Sequence, residues 1–123
     1  MKVKFIKFHE YKEFSEFTTG MCDYFADRVI RENGIMLGCY FKNEPVAIAL
    51  LGLVGDSCTI YYINVKEPFR KKGIANRLIL EAIEIGKKHK KQFIDTELVI
   101  QHSFGEVKQH ITIKNNFYKH KEF

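Results

Sequence analysis

The sequence predicts an α+β fold, in which one mixed, mostly antiparallel sheet is flanked by helices. Three observations support this class. The apolar periodicity switches along the chain between that of strands and that of helices. Three strand-like segments follow one another in the centre, separated only by short turns. The clearest helical pattern comes directly after them, at residues 73–88. The predicted order is β-α-α-β-β-β-α-β, followed by a segment that fits a last helix best.

The amino-terminal third contains one predicted strand and a helical region. Residues 3–8 alternate apolar and charged side chains, which predicts a strand. Between residues 10 and 34 the apolar positions recur every three or four residues, which predicts two short helices or one bent helix. Gly20 and Gly34 are predicted to end helices, since glycine is common just beyond a helix.

The centre of the chain predicts an antiparallel meander. Ile35–Phe41 and residues 45–54 form an apolar pair around Lys42-Asn43-Glu44, and Asn43 suits a hairpin turn. A second turn at Gly55-Asp56-Ser57 leads into residues 58–65, which are rich in β-branched and aromatic side chains.

The carboxyl-terminal third is less uniform. Pro68 ends the third meander strand, and Phe93–His102 predicts another strand after the long helix. The remainder has two interpretations. Ile111, Ile113, Phe117 and Tyr118 fit a helix that ends near His120, whereas Ile111-Thr112-Ile113 alone fits a strand equally well.

Composition limits the class of protein. The 123 residues are 46% hydrophobic and 14% aromatic, which suits a single domain at 1–123 with its own core. Three dispersed cysteines without a Cys-x-x-Cys pair argue against a disulfide framework or a zinc site, and the five histidines show no metal spacing. The charged amino terminus does not resemble a secretory signal, and the longest apolar run has nine residues. We therefore expect a cytoplasmic protein that has no membrane span and binds no metal.

The excess positive charge is local. The formal net charge is +5, and it is concentrated in Arg70-Lys71-Lys72 and in residues 87–91. Such patches favour an anionic partner, either nucleic acid or a phosphorylated cofactor. The second run is better explained as the solvated end of a helix, where basic residues complement the dipole.

The first basic run lies where a strand, a short loop and a glycine lead into the long helix. The first amides of a helix have no internal partners and carry partial positive charge, so a phosphate fits there. Gly73 and Ala75 leave the backbone accessible to an anion. The loop lacks the Gly-Lys-Ser/Thr of nucleotide triphosphatases and the second and third glycines of dinucleotide-binding folds.

The segment Arg70-x-x-Gly73-x-Ala75, preceded by Ile63-Asn64-Val65 and Pro68, resembles the coenzyme A pyrophosphate loop of the GNAT N-acyltransferase superfamily, whose pattern is Gln/Arg-x-x-Gly-x-Gly/Ala. The element order over residues 1–102 is also similar. The resemblance implies an N-acetyltransferase that moves an acetyl group from acetyl-CoA to a primary amine of a small molecule or protein.

The resemblance also implies the cofactor contacts. The fourth strand would splay from the fifth at a bulge near Val65, and the main chain of Ile63 and Val65 would pair with the pantetheine arm. The Val65 N–H would polarise the thioester carbonyl. The cofactor-binding residues implied are Ile63, Asn64, Val65, Arg70, Lys71, Lys72, Gly73, Ile74, Ala75 and Asn76.

Catalytic roles are expected for two residues, Tyr118 from the resemblance and Glu67 from its position alone. The segment at residues 117–123 resembles the end of the family's fourth helix, which places Tyr118 as the acid that protonates the coenzyme A thiolate. Glu67, just after the motif strand, would accept the amine proton through water. Asn64 and Tyr62, on the opposite strand face from Ile63 and Val65, would line the acceptor pocket.

Three features depart from the family pattern. Glu122 replaces a glycine, residues 103–114 form an unusually long connection, and the chain ends at Phe123, before the family's last two strands. Those strands are either absent, replaced by residues 106–114 or supplied by another chain. Because Phe93–His102 would otherwise be an open sheet edge, we expect self-association into a two-fold homodimer.

Two other functions fit parts of the sequence. The early chain end and the lack of an obvious base suit a non-catalytic acyl-CoA-binding module. The basic runs and aromatic content suit a nucleic-acid-binding domain, but the aromatic residues mostly occupy amphipathic core positions rather than positions between basic residues.

Overall fold

One sheet organises the protein. The computed structural model describes the backbone of residues 1–18, 20–102 and 105–113 and the side chains of residues 1–18, 20 and 22–95. Six strands lie in chain order, all antiparallel except for one parallel pair, β4–β5. The strands are β1 (Lys2–Phe5), β2 (Ile35–Phe41), β3 (Glu44–Gly52), β4 (Ser57–Val65), β5 (Phe93–His102) and β6 (Gly105–Ile113). The predicted α+β class is confirmed.

In the part of the chain that the structure describes, three helices cover the sheet. They are α1 (Phe8–Tyr11), α2 (Gly20–Arg31) and α3 (Ile74–Lys88), with single 3₁₀ turns at Lys12–Phe14 and Glu67–Phe69. Because β4 and β5 run parallel, the chain must cross over between them, and α3 is that crossover. Of the helices that the structure describes, none is both long and apolar enough to span a bilayer.

The central hairpin and the long helix are confirmed. The turn between β2 and β3 consists of Lys42 (φ 50°) and Asn43 (φ 67°). Two successive left-handed residues define the type I′ turn, whose twist matches that of the flanking strands. The predicted helix at residues 73–88 begins at Ile74, with Gly73 as its N-cap.

Two boundaries near the amino terminus differ from the prediction. β1 ends at Phe5, and Phe8 is the first residue of α1. The Glu10 carboxylate accepts the Lys7 N–H at 2.9 Å, and this hydrogen bond caps the start of the helix. Gly20 begins α2 instead of ending a helix. Glycine occurs both around the start of helices and just beyond their C-termini. A glycine alone therefore does not distinguish the start of a helix from its end.

The carboxyl-terminal segment forms a strand where the structure describes it. β6 pairs with β5 along its whole length, from Ile94↔Ile113 to His102↔Gly105. The strand interpretation of Ile111-Thr112-Ile113 is confirmed, and the helix interpretation is wrong there. Phe117 and Tyr118 lie outside the described residues. Because β6 occupies the edge of β5, the reason for expecting a homodimer is removed.

The core has two layers, one on each face of the sheet. On one face α3 packs through Ile74, Leu78, Ala82 and Ile85 against β3, β4 and β5. On the other face α1, α2 and the first 3₁₀ turn cover residues that include Ile48, Leu50, Tyr61 and Tyr62. All three cysteines are free and buried.

Gly38 in β2 allows the 3₁₀ turn to sit close to the sheet. A Cβ at this position would lie 2.7 Å from both the Ile6 Cγ2 and the Phe14 Cζ atoms. Phe14 is fully buried and makes edge-on ring contacts with Phe17 and Tyr40, at centroid distances of 6.1 and 5.5 Å. The absence of a side chain at Gly38 therefore sets the position of the segment that follows Phe14.

A hydrogen-bonded carboxylate joins the end of α2 to β4. Glu32 accepts the Tyr61 hydroxyl at 2.6 Å and the Arg28 Nε–H at 3.1 Å. The Arg28 guanidinium lies 4.5 Å from the centre of the Tyr61 ring, and that ring also stacks on Phe25. The pKa of the Glu32 carboxyl lies below its ordinary value, first because of the Tyr61 hydrogen bond and then because of Arg28.

We predict that Glu32→Gln lowers the free energy of unfolding by about 1 kcal/mol near neutral pH and by progressively less as the pH falls through the folded pKa of Glu32. A carboxyl whose folded pKa is depressed stabilises the protein above its unfolded pKa, and this contribution disappears as the pH falls through the folded pKa. Urea unfolding across this pH range measures the difference. Asp27→Asn, which breaks the exposed Asp27–Arg31 pair, is the control and should change stability less. A pH-independent cost for Glu32→Gln would contradict the assignment.

Candidate functional site

An unpaired strand edge lies at the centre of the sheet. β4 pairs with β5 only from Ser57↔Phe93 to Ile60↔Thr96. Beyond Ile60, β4 continues beside β3 while β5 continues beside β6. Within the described residues, the pairing of β4 with β5 therefore stops at Ile60 and does not reach Ile63 or Val65. The two parallel strands separate and leave a cleft between them.

A bulge in β4 coincides with this separation. The β3–β4 register shifts between Leu50, which faces Tyr62, and Leu51, which faces Ile60, so Tyr61 is the extra residue. A bulge bends its strand and increases the local twist, which turns β4 away from β5. The expected bulge near Val65 is thus found four residues earlier, because the divergence must begin where β5 pairing ends.

The main chain of β4 presents alternate residues to the cleft. The Lys66 N–H donates to the Val46 carbonyl at 2.8 Å, so Lys66 and Asn64 direct their peptide groups towards β3. By the same alternation, the N–H and C=O groups of Ile63 and Val65 point towards the cleft. The Val65 carbonyl confirms this, since it accepts a hydrogen bond from the Arg70 side chain outside the sheet.

The loop between β4 and α3 contains two left-handed residues. Lys71 has φ 62° and Gly73 has φ 84°. Alternation of left- and right-handed residues turns successive N–H groups towards one point and forms an anion-binding concavity. A Cβ at Gly73 would have no atom within 4 Å, so the backbone conformation, not crowding, favours glycine here.

The start of α3 is open to an anion. Gly73 makes no side-chain cap hydrogen bond, and the first turn contains no acidic residue. The first helical bond runs from the Arg77 N–H to the Gly73 carbonyl at 3.0 Å. Among the described residues, the amides of Lys71 to Asn76 donate to no backbone acceptor. Free amides, the helix dipole and the exposed Lys71 and Lys72 together attract negative charge.

Arg70 braces this loop. Its Nε–H donates to the Val65 carbonyl at 2.7 Å, and its terminal nitrogen lies 3.5 Å from the Asn64 side-chain oxygen. The guanidinium is therefore turned back towards the end of β4. The sequence placed Arg70 in a basic run that favours an anionic partner, and the structure adds a hydrogen-bonding role that fixes the loop against the end of β4.

Asn64 lies on the opposite face of β4 from Ile63 and Val65, as predicted. Its Nδ2 group donates to the Tyr62 hydroxyl at 2.8 Å and to the Phe17 carbonyl at 3.1 Å. Tyr62 is only 1% exposed, so its ring belongs to the core and does not line an open surface. The Phe17 contact was not found from the sequence, because a main-chain acceptor leaves no residue pattern.

The predicted catalytic residues are not brought together in the described part of the chain. Glu67 is exposed in the 3₁₀ turn that follows Val65, and Tyr118 lies outside the described residues. Among the described side chains, no three His, Cys, Asp or Glu residues group as metal ligands. The absence of a bound metal stays a prediction.

The sequence profile of the acetyltransferase (GNAT) family matches residues 4–103, which is most of the chain. No curated protein sequence matches this one at a significant level.

Solved acetyltransferases share the fold at low sequence identity. A Bacillus subtilis acetyltransferase in complex with CoA has a TM-score of 0.65 at 22% identity over 77% of this chain, which spans 63% of that protein. The ribosomal-protein-alanine N-acetyltransferase of Brucella melitensis has a TM-score of 0.67 at 15% identity, and the match covers 79% of each chain. PaiA N-acetyltransferase of Thermoplasma acidophilum, in complex with coenzyme A, has a TM-score of 0.61 at 16% identity. The match covers 85% of this chain and 84% of that one.

We predict that Arg70→Lys and Arg70→Met both speed amide hydrogen exchange at Phe69 and at position 70, whose N–H groups donate to the Lys66 and Glu67 carbonyls at 2.8 and 3.1 Å. Each variant loses the fixed Nε–H donor to Val65, a contact worth about 0.5–1.5 kcal/mol. Lysine keeps the charge and methionine keeps only the apolar stem, so the pair separates hydrogen bonding from charge. Exchange measured by mass spectrometry tests this. Unchanged exchange in Arg70→Lys would show that charge alone matters.

Proposed function

This chain belongs to the acetyltransferase (GNAT) family, and from that premise we propose that it transfers an acetyl group from acetyl-CoA to a primary amine. The observation that carries the proposal is the continuity of two features. The open edge of β4 at Ile63 and Val65 leads within a few residues into the uncapped start of α3. An extended arm that ends in a pyrophosphate would fit both at once, and coenzyme A has this shape.

The pyrophosphate is assigned to the amides of Lys71 to Asn76, because the Arg70 amide already donates to the Glu67 carbonyl at 3.1 Å. Support comes from the two left-handed residues, the missing cap and the lack of acidic side chains in the first helical turn. Lys71 and Lys72 add positive charge at the surface around this position. The left-handed backbone of Lys71 costs about 1 kcal/mol, and such strain is typical of ligand-binding loops.

The pantetheine arm is assigned to the open edge of β4. Its amide groups would pair with the main chain of Ile63 and Val65, in the manner of an added strand. The Val65 N–H would then donate to the thioester oxygen. A fixed donor stabilises the negative charge that develops there when the carbonyl carbon becomes tetrahedral.

The reaction proposed is a direct attack. The neutral amine forms a C–N bond with the thioester carbon, and the intermediate collapses by breaking the C–S bond. The amine loses one proton to water held by Glu67, and the leaving thiolate gains one from Tyr118. This route needs neither a nucleophile on the protein nor a metal. We place the reaction in the cytoplasm, where three free thiols remain reduced.

We predict that coenzyme A binds the wild-type protein and that Gly73→Asp weakens this binding at least about fivefold more than Gly73→Asn. Both side chains tolerate the left-handed conformation, so the variants differ mainly in charge. A carboxylate a few ångströms from the pyrophosphate costs about 1–4 kcal/mol. Isothermal titration calorimetry gives the affinities, and thermal melting verifies that both variants fold.

Two calorimetric outcomes would count against this cofactor site. No detectable heat with folded wild-type protein at millimolar coenzyme A would remove the proposed function. Equal affinities for Gly73→Asp and Gly73→Asn would show that the phosphates bind elsewhere.

We predict that Tyr118→Phe lowers turnover by about 10²–10⁴-fold and leaves coenzyme A affinity unchanged, since only the acid is removed. Thiol release from acetyl-CoA, measured over a panel of primary amines, gives the rate. Wild-type turnover in the variant would make Tyr118 a packing residue. If no amine increases thiol release by wild-type protein that binds coenzyme A, a non-catalytic acyl-CoA-binding module becomes the better explanation.

A further inference from the structure

The Asn64 side chain joins three parts of the molecule. It donates to the Phe17 carbonyl at 3.1 Å and to the Tyr62 hydroxyl at 2.8 Å, and it accepts from Arg70 at 3.5 Å. Phe17 belongs to the segment at residues 15–18, between the first 3₁₀ turn and α2. Arg70 belongs to the loop assigned to the pyrophosphate. One amide group therefore bridges two segments that cover opposite faces of the sheet.

Two of the three partners, the Phe17 carbonyl and Arg70, fix the orientation of this amide. The Phe17 carbonyl can only accept, so the NH₂ group must face it, and Arg70 can only donate, so the oxygen must face Arg70. The reversed orientation would place oxygen against oxygen and nitrogen against a cation. Asparagine meets both requirements, whereas an aspartate of the same shape meets only the one at Arg70.

The segment at residues 15–18 has a second, weaker attachment to the end of β4. Glu16 pairs with the Lys66 ammonium at 3.2 Å, but the Glu16 side chain is 75% exposed and Lys66 also pairs with Glu44 at 2.9 Å. Exposed ion pairs contribute about 0–1 kcal/mol and are screened by salt. The part-buried hydrogen bond from Asn64 is the more specific attachment.

We propose that Asn64 is a positioning residue, through which binding of coenzyme A at the Arg70–Asn76 loop orders the segment at residues 15–18. The inference rests on the proposed function. A bound pyrophosphate immobilises the loop and with it the Arg70 guanidinium, which holds the oxygen of Asn64. The fixed amide then holds the Phe17 carbonyl in place.

This coupling has a consequence for the order of binding. Residues 15–18 lie on the face of β4 opposite the α3 side, next to the edge where the thioester would be attacked. If the cofactor has already ordered this segment, an amine that contacts it has less conformational entropy to lose. Cofactor binding would then strengthen amine binding, and the reverse holds by linkage.

Hydrogen exchange with and without saturating coenzyme A tests the coupling. In the wild-type protein we expect coenzyme A to slow exchange both at residues 70–76 and, by about 2–10-fold, at residues 15–18. In Asn64→Asp we expect slowing at residues 70–76 only, because aspartate keeps the Arg70 contact and loses the donor to Phe17. Glu16→Gln is the matched control and should behave like the wild type at both segments.

A merely structural role for Asn64 gives a different result. Asn64→Asp would then speed exchange at residues 15–18 by the same factor with and without coenzyme A, and coenzyme A would still slow that segment. Either this result or the absence of any coenzyme A effect at residues 15–18 of the wild type would overturn the inference. If residues 70–76 of the wild type are not slowed either, the proposed cofactor site itself fails, which is a distinguishable outcome.

Asn64→Ala gives a second measurement, because it removes the contacts to both Phe17 and Arg70. We expect coenzyme A to slow residues 70–76 in this variant and to leave residues 15–18 unaffected. Thermal melting of both variants establishes that they are folded at the temperature of the exchange experiment. Slowing at residues 15–18 in folded Asn64→Ala would also overturn the inference.

Discussion

The separation of β4 from β5 after Ile60 is the constraint on which the rest of the site depends. A strand in the centre of a sheet normally has both rows of peptide groups paired, and unpaired groups are costly unless water or a ligand satisfies them. Here β3 satisfies one row, while the peptide groups of Ile63 and Val65 in the other row face a cleft. This edge lies inside the sheet, so it can receive an extended ligand without inviting another strand from solution.

The loop that follows uses the same open backbone for a different purpose. At the β4 edge, main-chain groups are suited to the amides of an extended arm. At the start of α3, they are suited to negative charge, because the dipole, the uncapped amides and the left-handed Lys71 and Gly73 act at one place. Arg70 connects the two regions by donating to the Val65 carbonyl, so the distance between them is fixed by a side chain.

Much of this arrangement was predictable from local sequence. The type I′ turn at Lys42 and Asn43, the amphipathic α3 and the glycine at its start each depend on residues close together in the chain. Phe8 and Gly20 were placed in the wrong elements, because capping by Glu10 and the dual use of glycine at helix ends are not resolved by periodicity. The strand at Ile111-Thr112-Ile113 stayed ambiguous, since its partner β5 lies more than ten residues away along the chain.

The sequence by itself determined the α+β class, the antiparallel centre, and the family pattern Arg70-x-x-Gly73-x-Ala75. Those features follow from periodicity, turn chemistry and spacing, which are local properties. Only the tertiary structure decided that β4 leaves β5 at Ile60, that the bulge lies at Tyr61, and that Asn64 reaches the Phe17 carbonyl. These depend on strand register and on contacts across dozens of residues, and main-chain partners carry no side-chain signature from which they could be recognised.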